Sequence, residues 1–308
     1  MSTIVKVIKA IRYWIYIYVY ADRIIAGYPN IKAKDNRVNL FDYHPEITEG
    51  KAKTYLNSRW NLGDYLGQVI TTYMLEKKGL SLDSWVKKRK HFACVGSNVF
   101  TSFQHLTIWG GGVLFRPNRG NLPYRFFSFL FRYPFSKYDF RAVRGPLTRE
   151  IVLKYGHKCP EVYGDPAILM PYIYTPKVEI HHDILVIAQL QTESEFRKKH
   201  PNVYMVSMNT NDYKAVIDAI ASSKKVITSS LHGIILAEVY GVPAVLFRGL
   251  SKRIDFKYMD YYYSTKRYNI RIAETFEEAL VMEPLPLPDL KPLQEGLINS
   301  FPYDLWEE

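Results

Sequence analysis

The chain has 308 residues, with 41 Lys and Arg against 30 Asp and Glu, a formal charge of +11, and 47% apolar and 23% charged residues. That composition excludes a disordered chain, and the length exceeds what one core comfortably serves, so two domains are expected. The basic excess favours an anionic partner such as nucleic acid, anionic lipid or a phosphorylated or carboxylated substrate. Cys94 and Cys159 are the only cysteines, too few for a disulfide framework and wrongly spaced for a metal site.

Residues 3–21 (TIVKVIKAIRYWIYIYVYA) are basic and strongly apolar. The uncharged run from Tyr13 to Ala21 is nine residues, too short to span a membrane. On a helix, Lys6, Lys9 and Arg12 gather on one side and Ile4, Val5, Ile8 and Ile11 face the other way. Peripheral membrane contact through this arm, and a docked helix or strand with solvated lysines, are both open readings. No small-residue cleavage site follows the run, so a signal peptide is not expected and the location is expected to be cytoplasmic.

Residues 29–60 have no clear period and are expected to wrap the surface. Asn61-Leu62-Gly63-Asp64 then opens a helix with apolar residues at Leu66, Val69, Ile70, Tyr73, Met74 and Leu75, ended by Gly79. Asp64 is expected as a helix cap, or as a base accepting a proton from a substrate hydroxyl. HFACVG (91–96) and HLTIWGGGVLF (105–115) read as strands, and Gly110-Gly111-Gly112 lets backbone come very close to something. The spacing is neither GxGxxG nor a P-loop. Residues 123–135 group aromatics with Arg125 and Arg132, either a lipid- or sugar-facing patch or a buried cluster. FRAVR forms a strand and PLTREIVLKYG a helix with Pro at its first turn, leaving Arg144 where α/β sheets hold anions. VYGDPAILMPY gives a strand and a tight Gly-Asp-Pro turn.

Residues 174–183 read as the connection between domains. DILVIAQL, NVYMVSM, KVITSS and VPAVLF read as strands alternating with helices at EFRKKH, DYKAVIDAIASSK and LHGIILAEVY. This alternation predicts a parallel sheet with helices on both faces. The fold class is therefore α/β, with two Rossmann-like domains facing a cleft. The boundaries are an arm at 1–28, a first domain at 29–175 on the acceptor side, a second at 176–283 on the donor side and a tail at 284–308.

At the turn Thr228-Ser229-Ser230-Leu231-His232-Gly233 a strand runs straight into a helix. Its N–H groups, the two hydroxyls and the helix dipole favour an anion. His232 beside such an anion is suited to act as an imidazolium general acid. Arg248, Lys252, Arg253 and Lys257 follow the next strand and add cations for a ligand of several negative charges.

Together NLGDYL, TIWGGGVL, FRAVRGPLTRE, YGDPAILMP, ITSSLHGIILAEVYGVPAVLF and SKRIDFKYMDYY resemble the polysaccharide pyruvyl transferase family over residues 55–265. The resemblance implies a GT-B-like pair of Rossmann domains, with the C-terminal segment crossing back to the first. It implies a pyruvyl transferase using phosphoenolpyruvate as donor substrate, with no cofactor and no metal, forming a cyclic pyruvate ketal on two sugar hydroxyls in exopolysaccharide or capsule biosynthesis. His232 would be the catalytic acid, with Asp64 as hydroxyl-positioning residue or base. Arg144 and Lys252 would clamp phosphate or carboxylate. Ser229, Ser230, Gly233, Lys257, Arg248, Asn61, Gly111 and Gly112 are the further substrate-binding candidates. The implied acceptor is a lipid-linked or nucleotide-linked saccharide. Many members carry a His where this chain has Ala188-Gln189-Leu190, so that residue's role has no counterpart here.

Two other readings compete. Nucleotide-sugar glycosyltransferases of this shape often carry Glu-x7-Glu at the same turn, but here the first position is Ser230 and only Glu238 remains. A non-catalytic, basic membrane-binding module is the third reading. Nucleic acid is not expected, since no helix-turn-helix, RNP or zinc pattern is present.

Overall fold

Short apolar runs bounded by glycine and polar turns form two parallel sheets in the computed structural model, which describes residues 38–41, 60–84, 86, 90–99, 106–113, 138–248 and 256–307. The first sheet holds β1 (Val38–Phe41), β2 (Lys90–Ala93), β3 (Leu106–Gly111) and β4 (Tyr138–Val143), all parallel and in chain order. β3 is buried along its whole length, which its continuous Leu-Thr-Ile-Trp-Gly-Gly run permits and a parallel central strand requires. The register slips between Ile108 and Gly111, and Tyr163 bridges the outer edge of β4 at Val143.

The second sheet holds β5 (His182–Ile187), β6 (Ser223–Thr228) and β7 (Ala244–Leu246). Single parallel bridges extend it at both edges, Met205 against Val186 and Ala273 against Phe247. Tyr204 and Val206 bond the β5 edge facing away from β6, so the 205 segment lies outside β5. The order is thus 205, β5, β6, β7, 273, with strand order reversing between β5 and β6. In doubly wound sheets a crevice opens at that reversal, beyond the strands' carboxyl ends. Here those ends are Ile187 and Thr228, and the turn Ser229-Ser230 leaves from the second of them.

Several expectations change. A strand, β1, lies within the stretch expected to wrap the surface. The strands expected at the start of VYGDPAILMPY and at NVYMVSM shrink to single bridges at Tyr163 and Met205. In the first case Asp165 and Pro166 turn the chain at once into a 3-10 helix, Pro166–Tyr172. The second carries only a short pairing outside β5.

The helices are α1 (Leu62–Glu76), α2 (Pro146–Lys154), α3 (Glu193–Lys199), α4 (Tyr213–Ala221), α5 (Leu231–Val239), α6 (Phe256–Ser264), α7 (Phe276–Val281) and α8 (Lys291–Asn299). α5 is apolar nearly all round and buried to match, whereas α4 buries only the stripe Val216, Ile217, Ala219 and Ile220. The 3-10 helix packs against both α1 and α5. One hydrophobic cluster passes through it, from Leu66, Phe92 and Trp109 by way of Ile168 and Leu169 to Leu185, Val226 and Leu236. The two sheets therefore share a core.

The tail returns to the first sheet. The Trp109 indole donates to the carbonyl of Leu297 in α8 at 3.0 Å, and Phe301 and Trp306 stack with each other and meet Phe92 edge-on. Among the described residues no helix is long and apolar enough to cross a membrane. The basic arm and the aromatic stretch 123–135 lie outside the described residues.

Candidate functional site

The glycine run ending β3 shows what its missing side chains admit. Gly110 has φ +80°, open to glycine at little cost, and its Cα faces the ring of Pro166. A Cβ on Gly111 would strike the Asn98 amide, and one on Gly112 the Arg144 guanidinium. The close approach expected at these glycines is thus made by the protein's own side chains, and it brings Arg144 and the Gly164-Asp165-Pro166 turn onto the end of β3.

Arg144 follows β4 and is fully buried. Its Nη1 donates to Ser97 Oγ and its Nη2 to the Val113 carbonyl, both at 3.1 Å, while Nε lies 3.3 Å from Asp260 Oδ2. Asp260, on α6, is also fully buried and accepts from the Thr148 amide and hydroxyl at 2.9 and 2.6 Å. Burial pushes its carboxyl up from the usual range, opposed by the Arg144 charge and the Thr148 donors. The Arg144 guanidinium, expected as a clamp for phosphate or carboxylate, is thus engaged by Ser97, Val113 and a carboxylate from a distant part of the chain. Sequence reasoning had no signal for Asp260, which sits within the tyrosine-rich run of α6.

His232 lies in the first turn of α5, with its side chain 12% exposed. Its Nδ1 edge occupies the space a Cβ on Gly63 would need, so the ring rests on the start of α1. Its Nε2 faces Asp165 Oδ2 at 3.7 Å, inside ion-pair range and too long for a hydrogen bond. Asp64 completes the group from the first turn of α1. It accepts from Asn61 Nδ2 at 2.6 Å, and Gly96, at φ +106°, leaves room for its Oδ1. Desolvation pushes the Asp64 carboxyl up to about 6, against the lowering effects of His232, the Asn61 amide and Lys257, while Asp165 adds to the rise.

Asp64 is not the helix cap: the N-cap position is Asn61, which makes no side-chain cap bond, and Asp64 sits three residues into the chain from it. The α1 amide of Leu62 is satisfied instead by the Met208 carbonyl at 2.9 Å, which fixes the helix entrance onto the second sheet.

The Ser229-Ser230 turn divides its work. Ser229 is buried, and its hydroxyl accepts from the Gln189 amide at 3.0 Å, its N–H donates to Ile187 and its carbonyl accepts from the Tyr258 hydroxyl at 2.6 Å. Ser230 uses its N–H on Thr228 Oγ1, and its hydroxyl makes no cap bond. The hydroxyl of Ser230 and the first-turn amides of α5 are the parts of this turn suited to an anion. Gly233 presses against Thr228, where a Cβ would collide with the hydroxyl. Gln189 Nε2 donates to the Tyr258 hydroxyl at 2.6 Å, tying the turn after β5 to α6.

Lys257, on α6, contributes its charge to the Asp64 carboxyl and lies 5.0 Å from the Tyr258 ring centroid. Arg248 pairs with Glu274 at 2.6 Å at the β7 edge. Lys252 and Arg253 lie outside the described residues. Glu238 is nearly buried, held by both Arg267 Nη groups at 2.6 and 2.7 Å and by the Tyr261 hydroxyl at 2.7 Å. Structure thus brings Arg144, Asp64, Asn61, His232 and the Gly110–Gly112 run to one edge, and adds Asp165, Asp260, Gly63 and Gly96. The only sequence signal for Asp165 was the Gly-Asp-Pro turn itself.

No curated protein matches the chain. A solved structure of a functionally uncharacterised protein from Klebsiella pneumoniae subsp. pneumoniae NTUH-K2044 aligns with 70% of this chain and 90% of its own, at 15% identity and a TM-score of 0.45. Residues 106–249 match the family model of polysaccharide pyruvyl transferases, spanning β3, Arg144, Asp165 and the His232 turn.

Proposed function

We propose that the protein transfers the pyruvyl group of phosphoenolpyruvate onto two hydroxyls of a sugar, forming a cyclic ketal. The observation that supports this reading is that His232, within the segment matching the family model, rests on Gly63 and acts on the neighbouring Asp64 carboxyl, with Arg144 of the same segment packed on Gly112 at the end of β3. Phosphoenolpyruvate carries about three negative charges, so its site needs several cations and N–H donors. Arg144, Lys252 and Lys257 are the cations, and the Ser230 hydroxyl with the α5 amides cradles phosphate.

His232 delivers a proton to the donor's methylene carbon, leaving an oxocarbenium-like centre at the neighbouring carbon. One sugar hydroxyl adds there and gives its proton to Asp64. The second hydroxyl then displaces phosphate, which leaves with the electron pair of its C–O bond; the hydroxyl's proton passes to His232, neutral since the first step, and the ring closes. The acceptor is a lipid-linked or nucleotide-linked saccharide of a cell-surface or capsular polysaccharide, reached from the cytoplasmic face, with the basic arm as peripheral membrane contact.

Glu238 argues against a nucleotide-sugar donor. In the Glu-x7-Glu reading it would grip the donor, yet here its carboxylate is held by Arg267 and Tyr261 inside the fold. Thermal unfolding with phosphoenolpyruvate, UDP-sugar or GDP-sugar decides between donors. A rise in Tm with phosphoenolpyruvate alone is expected, whereas a rise only with a nucleotide sugar sinks the proposal. Lys252→Ala should weaken donor binding, while His232→Ala should keep the fold and lose transfer by at least about 100-fold. A response to anionic vesicles with no donor effect would favour the non-catalytic membrane module.

A further inference from the structure

Asp165 has a carboxylate with two oxygens in different circumstances. Oδ1 accepts from the Ala167 amide at 3.1 Å and starts the 3-10 helix. Oδ2 is buried without a hydrogen bond and faces His232 Nε2, which is likewise buried without one. Two orphaned buried polar atoms directed at each other are costly unless they act as a pair. A helix cap needs only Oδ1, so the cap leaves the orientation of Oδ2 unexplained. Pro166 packs on Gly110, and Gly164 before the turn takes φ +138°, a conformation open to glycine.

We propose that Asp165 is a positioning residue for His232: its carboxylate holds the Nε2–H edge of the imidazole, so that Nδ1 is the ring atom that exchanges a proton with substrate. The protonation of one ring nitrogen is set by the partner of the other. Asp64 from α1 is the other carboxylate coupled to the ring, and Lys257 from α6 acts on Asp64 in turn. The carboxylate within ion-pair range of Nε2, among the described residues, is that of Asp165. During turnover the proton leaves Nδ1 for the donor's methylene carbon while Nε2–H stays on Asp165. That last step rests on the pyruvyl transfer proposed above; the tautomer does not.

Asp165→Asn separates the two roles. Asparagine keeps a cap oxygen for Ala167 but turns an amide donor toward Nε2. Long-range proton–nitrogen correlation spectra of labelled full-length protein at about pH 8.5, where histidine is ordinarily neutral, read the tautomer directly. We expect Nε2–H for His232 in the wild type and a switch to Nδ1–H in Asp165→Asn. A wild-type Nδ1–H tautomer, or identical spectra in the two proteins, overturns the proposal, and the wild-type spectrum decides even if the variant fails to fold. In the transfer assay, Asp165→Asn should leave the donor KM within about threefold and lower kcat by about 100-fold or more. An unchanged kcat overturns the positioning role. Absence of any wild-type turnover sinks the transfer reading instead, with the tautomer still settled by the spectra.

Discussion

Gly63 concentrates the residue-scale argument, since it lies in a helix where alanine would ordinarily be preferred by about 1 kcal/mol. The space its Cβ would take is filled by the His232 ring. Gly63→Ala is therefore expected to push the imidazole away and to lower transfer by about 100-fold, the scale of loss produced by misplacing a reacting group by about an ångström. Near-full activity would show that the ring does not work from this position. Asp64 gives a second test. Its carboxyl is raised to about 6 from the usual 3.8, so the folded state disfavours its charge. The stability tied to its protonated form is complete below about pH 3.8 and is lost as pH rises through about 6. Asp64→Asn should therefore gain Tm relative to the wild type by several degrees as pH passes from about 4 to 8, while losing the base. Transfer by the wild type should fall as pH drops below about 6, and a rate that stays flat there removes Asp64 as the base.

At the scale of elements, the C-terminal segment contributes more than its place in the chain suggests. α8 and the residues after it cover the first sheet through Trp109, Phe92, Phe301 and Trp306, and the Tyr303 hydroxyl donates to the Met74 carbonyl in α1 at 3.0 Å. Trp306 is 3% exposed, so Trp306→Ala opens a large cavity and should cost about 3–5 kcal/mol in urea unfolding. Arg141 meets Asp304 through two hydrogen bonds at 2.9 and 2.7 Å, but both side chains are solvent-accessible. Arg141→Ala should accordingly cost less than about 1 kcal/mol. A Trp306 effect no larger than the Arg141 effect would mean that the tail does not close this core.

Across the whole molecule, what the sequence made legible was what repeats locally. The helix at α1 was readable because Leu66, Ile70 and Met74 recur at helical spacing, and β3 because its apolar run stops at three glycines. Both α2 and α5 start where the strand-to-helix junctions at Arg144 and Ser230 placed them. The start of VYGDPAILMPY and the stretch NVYMVSM misled because strand-like composition does not say whether a neighbour is present to pair with. β1 was missed because a four-residue edge strand is too short to show a period.

By itself, then, the sequence determined the succession of strands, turns and helices, the excess of positive charge and the chemistry available at Asp64, Arg144 and His232. Only the tertiary structure decided what lies against each glycine, and hence that Arg144 sits beside Asp260 and that His232 rests on Gly63 with its Nε2 facing Asp165. It also decided the strand order with its reversal between β5 and β6, and the fate of Glu238 inside an ion pair. The reason is physical: periodicity and turn chemistry act over a few residues, whereas these contacts join segments far apart in the chain and exist only once packing closes them.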